Sequence, residues 1–189
     1  LKQFIIIALI FAALKVYSKL LKILNEKLNK FHKKEWFKYA FLSRKHLVQL
    51  STGNFEDWCS DFLGRLGYKG VTVTSTWNDS KFKTITCMNK GNEVYVLCKL
   101  TNEIKEIEDD YGSLGRPELQ QFIGTMEHDN ITEGIVITTG DFTDQALEYA
   151  KGLPGRLSVI LYDGVSLTKA HRKLREKEVS LLLQQENNI

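Results

Sequence analysis

Hydrophobic and polar positions follow two regimes along this 189-residue chain. Residues 4–14 (FIIIALIFAAL) form an unbroken apolar run. Beyond it apolar side chains recur at every third or fourth position: Ile7, Ile10, Leu14, Tyr17, Leu21, Leu24, Leu28 and Phe31. That spacing is a heptad seam over residues 7–31 and predicts a long N-terminal helix. Lys15, Lys19, Lys22, Lys27, Lys30, Lys33 and Lys34 fall mostly off the seam, and no proline or glycine interrupts residues 1–52.

From residue 51 the pattern shortens. Residues 51–54 (STGN) break the helix and carry helix-start chemistry, with Asn54 as the expected N-cap and Asp57 three positions on. Phe55, Trp58, Cys59, Phe62, Leu63 and Leu66 recur at helical spacing until Gly67, a left-handed terminator. Strands are predicted over 71–74, 83–88 and 93–100, with residues 89–92 (NKGN) as the hairpin turn between the last two. A helix over 117–127 opens on a proline. Residues 134–138 (GIVIT) read as a strand buried on both faces. A helix from near Thr143 to Gly152, a strand over 157–162 and a helix over 165–185 complete the chain. An antiparallel meander feeding strand–helix–strand units makes an α/β fold, a mixed sheet flanked by helices and preceded by the long N-terminal helix. The expected division is residues 1–50 as anchor and stem, and residues 51–189 as the domain.

Charge sharpens that division. The net charge of +3 combines +9 over residues 1–50 with −6 over residues 51–189. Polyanion binding must therefore rest on the stem or on a local patch such as His171–Lys177. The apolar run is shorter than the roughly 20 residues of a spanning helix. Snorkelling of Lys15, or residues preceding Leu1, would close the gap. A secretory signal fits poorly, because no small-residue cleavage site follows. The favoured expectation is a membrane-inserted helix, with residues 4–34 contacting lipid and the 51–189 domain on the cytoplasmic side by the positive-inside rule. A helix lying flat in the interface, or one whose 7–31 seam packs on a protein partner or a second copy, are the other readings. Trp36, Phe37, Tyr39 and Phe41, interleaved with Lys33, Lys34, Lys38, Arg44 and Lys45, fit an interfacial belt or linker helix better than a stacking platform for a nucleic-acid strand. Cys59, Cys87 and Cys98 lack C-x-x-C spacing, which excludes a disulfide framework or zinc site and suits a reducing compartment. The four histidines are scattered, and no phosphate-cradling loop, G-x-S-x-G elbow or H-E-x-x-H motif occurs.

Several segments share an order and spacing with a known family. Gly53-Asn54-Phe55-Glu56 precedes Leu66-Gly67-Tyr68, and Glu118-Leu119-Gln120-Gln121-Phe122-Ile123-Gly124 follows the middle strands. The most specific piece is Gly134-Ile135-Val136-Ile137-Thr138-Thr139-Gly140-Asp141-Phe142-Thr143, then Ala146, Ala150, Leu161-Tyr162-Asp163-Gly164 and Leu167. Together they resemble the catalytic domain of Mrr-like type IV restriction endonucleases, of the PD-(D/E)XK nuclease superfamily. Membrane-anchored versions of such domains look similar at their N-termini too. The resemblance implies a restriction-endonuclease-like fold and Mg²⁺-dependent hydrolysis of DNA. It implies an acid opening the middle strands and a Glu or Gln two residues before a lysine on the next strand. The carboxylates would hold the metal, and the lysine would place the attacking water.

This chain departs from that pattern. The second half of the motif falls on Leu97-Cys98-Lys99, which keeps the lysine and puts Leu97 in the Glu/Gln position. The first half falls on residues 79–83, where Asp79 matches the outer acid and Lys83 replaces the metal-binding aspartate. Lys83 repels a divalent cation and Leu97 offers no oxygen. Asp79, Lys99 and Glu56 are thus the remnant catalytic positions, with no metal ligands and no cofactor expected. Residues 103–110 carry five carboxylates against one lysine, which opposes a phosphate chain and suits a basic partner. The resulting reading is a membrane-anchored Mrr-type domain that has lost catalysis and acts as an interaction or assembly module. An endonuclease with an altered Mg²⁺ site, or DNA binding without cleavage, are the alternatives.

Overall fold

The computed structural model describes residues 15, 17–22, 43–74, 85–101 and 111–186. The chain divides into two compact units, Leu1–Phe41 and Leu42–Ile189. In the first, the described residues are helical and exposed, Tyr17 and Leu21 of the heptad seam among them. Among the described residues no helix is long and apolar enough to cross a membrane. This corrects the expectation of a membrane localisation with the domain on the cytoplasmic side. The described stretch interleaves Lys15, Lys19 and Lys22 with its apolar positions, which a bilayer core does not accept. The run at residues 4–14 and most of the seam lie outside the described residues.

The second unit opens with α1 (Arg44–Val48) and α2 (Thr52–Arg65), followed by β1 (Lys69–Val73), β2 (Ile85–Asn89) and β3 (Asn92–Lys99). Then come β4 (Ser113–Leu114), α3 (Arg116–His128), β5 (Glu133–Thr138), β6 (Asp141–Phe142), α4 (Asp144–Lys151), β7 (Ser158–Tyr162) and α5 (Gly164–Glu186). The five-stranded sheet runs β1-β2-β3-β5-β7. The first three strands are antiparallel and β3, β5 and β7 are parallel. The expected mixed sheet with helices on both faces is therefore present.

Local chemistry explains most boundaries. Lys90 and Gly91 both take positive φ (50° and 95°), the geometry of a two-residue hairpin turn, and Asn89 pairs with Asn92 across it. Glu133 of β5 accepts from the Asn89 and Asn92 amides at 2.8 and 2.9 Å, which ties this hairpin to the parallel part of the sheet. Gly67, at φ 100°, ends α2, with the Tyr68 N–H returning to Leu63 O at 3.1 Å. The start of α2 differs from expectation. Ser51 is the cap, its hydroxyl accepting from the Asn54 N–H, so Asn54 lies inside the first turn. The helical pattern is also broken earlier than residue 51. Ser43 caps α1 by accepting from the His46 N–H, and Leu47 and Val48 are buried in this unit.

Two hydrophobic layers enclose the sheet. On one face Phe55, Trp58 and Phe62 of α2 stack at one-turn spacings, with ring centroids 6.3 and 5.3 Å apart, and Phe62 meets Tyr162 of β7 edge-on at 5.7 Å. Helix α5 joins α2 there through Arg65, which holds both carboxylate oxygens of Glu178 at 2.9 and 3.0 Å. Arg65 also donates to His171 Nε2 at 3.1 Å, and a guanidinium cannot accept, so the His171 ring nitrogen is the acceptor. His171 is therefore a buried link beside Trp58 and not part of a DNA-facing His171–Lys177 patch. On the other face Leu119, Phe122, Ile123 and Met126 of α3 and Ala146 of α4 pack on Tyr95, Leu97 and Val136. Gly134 permits this approach, because a Cβ there would meet Met126 Sδ at 2.5 Å and the Phe122 ring at 2.9 Å.

Two consequences are measurable. Gly134→Ala should destabilise the fold by about 1–2 kcal/mol in urea unfolding, because Phe122 yields less readily than Met126. Adding Met126→Ala should cost less than the sum of the two single changes. The Asn92 and Asn89 amides hold the Glu133 carboxyl below its usual range. A depressed carboxyl contributes stability that is present above its unfolded pKa and lost as pH falls through the folded one. Glu133→Gln should flatten the acid side of a stability–pH profile, by about 1 kcal/mol or less at this half-buried, solvent-screened position.

Candidate functional site

Strand β3 carries the two described positions of the sequence motif. Its residues 94–98 are all buried, and Lys99 at its end is exposed. Alternation sends Tyr95, Leu97 and Lys99 toward α3 and α4, and Cys98 toward α2. Leu97 is 5% exposed and sits in the cluster with Leu119, Phe122 and Val136. Hydrocarbon therefore surrounds Leu97, the residue that the sequence resemblance aligned with the family's Glu/Gln. Lys99 lies opposite Thr138 of β5, and its carbonyl accepts from the Thr139 N–H at 3.3 Å.

Glu56 lies on α2, on the sheet's other side. Burial first, and the neighbouring Asp57 second, push its carboxyl above the usual range. Lys99 alternates toward the opposite layer, that of α3 and α4. Asp79, Lys83 and the acidic stretch 103–110 lie outside the described residues. The cysteines lie on the α2 side. Burial first, then the Cys98 thiol, holds Cys59 well above the ordinary thiol range. Burial, Cys98 and Glu133 push Cys87 up to about 11. Thiols held protonated in this way are packing groups and not nucleophiles.

What the fold does assemble is a rim at the carboxyl ends of β3 and β5, where open α/β sheets place their ligands. Arg44 of α1 is its hub. Its Nε donates to Thr139 O at 2.7 Å, and its guanidinium carbon lies 4.1 Å from the centroid of the Tyr111 ring. Its Nη2 is 3.0 Å from Asp141 Oδ1 but makes no hydrogen bond, so that contact is Coulombic. Thr101 joins through its N–H and hydroxyl, 2.9 and 2.8 Å from Thr139 Oγ1. Strands β4 and β6, a small parallel pair that sequence periodicity did not reveal, stitch the rim with Ser113 opposite Asp141. Two glycines make the crossing possible. A Cβ on Gly140 would strike Gly112 O, and one on Gly164 would strike Thr139 O and Arg44. Thr138-Thr139-Gly140-Asp141 and Asp163-Gly164 thus carried a visible signal, whereas Arg44 stood out in sequence only as one of the basic residues interleaved with aromatics.

The rim offers cations, hydroxyls and an ion-paired carboxylate, and no converging set of oxygens. Among the described residues no group of three or more His, Cys, Asp or Glu side chains is placed to hold a metal. Mg²⁺ wants near-octahedral oxygen ligands, and of the described motif positions neither the buried Leu97 nor the exposed Lys99 has a side chain that offers one.

Residues 47–171 match the Mrr_cat family, described as restriction endonuclease. The type IV methyl-directed restriction enzyme EcoKMrr of Escherichia coli strain K12 is 33% identical over 129 residues, 65% of this chain and 38% of that enzyme. The chain thus spans well under half the length of this curated relative. Among solved structures, the DNA modification-dependent restriction endonuclease AspBHI is similar with a TM-score of 0.50 at 16% identity, over 77% of this chain and 36% of that one. The likeness supports the fold alone. The MspJI restriction endonuclease, solved in complex with a 27-mer oligonucleotide, is more distant, with a TM-score of 0.45 at 17% identity over 72% of this chain and 35% of that one.

Arg44→Ala should lower stability by about 2–3 kcal/mol in urea unfolding, because it removes a charged hydrogen bond and leaves Thr139 O unpaired. Arg44→Lys should not restore it, since an ammonium lacks the planar fork that donates to Thr139 while lying over Tyr111.

Proposed function

Because the chain belongs to the Mrr_cat restriction endonuclease family, we propose that it is a nuclease-fold domain that has lost metal-dependent cleavage and acts as a binding and assembly module. The observation that carries this reading is Leu97, buried in hydrocarbon at the family's Glu/Gln position. Restoring a ligand there would require a polar side chain inside a packed cluster, which costs about 1–3 kcal/mol unless it finds a partner. The charge of Lys83 acts in the same direction, by repelling a divalent cation. The net charge of −6 over residues 51–189 disfavours non-specific attraction to duplex DNA and favours a basic protein partner. The 7–31 heptad seam is a second candidate surface for a protein partner.

One observation favours the alternative of an Mg²⁺-dependent endonuclease with an altered site. Lys99 stands exposed at the end of β3, where a lysine of this motif would serve phosphodiester hydrolysis. Supercoiled-plasmid nicking with Mg²⁺ or Mn²⁺ separates the two. The expected result is no nicking beyond that of a Lys99→Ala variant prepared in parallel. Metal-dependent nicking by the native chain that disappears in Lys99→Ala would overturn the proposal.

A further inference from the structure

The central sheet has two edges, and the chain treats them differently. At the β1 edge the register slips between Lys69 and Thr72, Gly70 takes φ 57°, and Lys69 is exposed. Bulges and lysines are the devices by which natural sheets keep an edge from pairing with another chain. β7, at the opposite edge, has neither. Its sequence SVILY contains no charge, proline or glycine, and its register against β5 is continuous from Ser158 to Tyr162. Ile160, at its centre, is 42% exposed.

The direction of its free backbone groups follows from the ladder. The Ser158 N–H donates to Thr132 O at 2.8 Å, toward β5. In a parallel pair the bonding groups alternate, so Ser158, Ile160 and Tyr162 bond inward while Val159 and Leu161 present N–H and C=O outward. Among the described residues, no strand takes them up.

The geometry points to a second copy of this chain as the partner, through antiparallel β7–β7 pairing about a two-fold axis at Ile160. In that register Val159 of each copy faces Leu161 of the other, and the two pairs exchange four N–H···O=C bonds. Ser158 faces Tyr162. Ile160 meets its own counterpart on the axis as a non-hydrogen-bonded pair, with Cα atoms about 4.5 Å apart. Self-pairing fits better than a foreign strand on three grounds. The outward groups are symmetric about Ile160, as an isologous interface requires. An uncharged strand suffers no like-charge opposition when paired with itself. At both ends Arg156, 69% exposed and paired with Glu127 at 2.6 Å, comes near Asp163 of the other copy, so the charge facing that carboxylate is a cation shared with Glu127. The strand spans only about 17 Å, so the interface is at the small end and association is reversible and concentration-dependent.

Sedimentation velocity of the full chain over a concentration series tests this. The native chain should shift toward twice the single-chain mass, and Ile160→Lys, which sets two like charges on the axis, should abolish the shift while circular dichroism stays native. Ile160→Cys should form a reducible interchain disulfide under mild oxidation, and Met88→Cys, exposed on β2, should not; the native cysteines are buried. The cross-linking arm stands even if Ile160→Lys fails to fold. A single-chain mass at every concentration, a dimer undiminished in Ile160→Lys, or equal cross-linking of the two cysteine variants would each overturn the proposal.

Discussion

Strand β3 is covered on both faces by separate hydrophobic layers, and most of what this domain can do follows from that. Val94 to Cys98 are all buried, with alternate side chains committed to α2 on one face and to α3 and α4 on the other. A strand in the middle of a sheet has no spare face for polar chemistry. Strand β3 reaches solvent only at its two ends, through Asn92 and Glu93 beside the hairpin turn and through Lys99 at the carboxyl end. Of these, the carboxyl end is the one that joins the rim, and Leu97, one layer below, is packed in the core.

The rim is organised by charge and by the absence of side chains. Arg44 brings α1 onto the end of β5 by combining a hydrogen bond to Thr139 O, an ion pair with Asp141 and a face contact with Tyr111. The guanidinium suits this position because its planar fork serves several partners at once. Gly140 and Gly164 let three segments cross where any Cβ would collide with backbone carbonyls. On the α2 face, Arg65 does related work by joining α2 to Glu178 and His171 of α5. Both arginines are committed to partners within the fold.

This separates frame from chemistry. The segments that carry the family likeness are turns, glycines and apolar strands that hold the sheet and its rim, and they are retained. The positions at which that family would place oxygen ligands are, under the proposed reading, the ones that differ. Under the proposed reading the frame has kept its packing constraints while the constraint to bind a cation has lapsed. A scaffold held together by its core tolerates such a change, because Leu97 adds to the hydrophobic layer in which it lies.

The order of elements was legible because it rests on local signals: period-two and helical spacing, the NKGN turn, Gly67, and a proline opening α3. Leu97 was legible only as a hydrocarbon side chain two positions before Lys99; its burial came from the structure. Other features rest on partners distant in the chain. Arg44 and Thr139 are 95 positions apart, and Arg65 lies 106 from His171 and 113 from Glu178. No periodicity announces such pairs, so His171 read as one of four scattered histidines and the β4–β6 pair went unseen. The Ser51 cap was missed for a smaller reason, as Ser51, Thr52 and Asn54 all carry capping chemistry and only backbone geometry selects one. Sequence alone determined the succession of strands and helices, because that depends on residue type and near neighbours. Tertiary structure decided which faces are buried, which cations are tied up and which sheet edge stands open, because each is set by what the folded chain brings alongside.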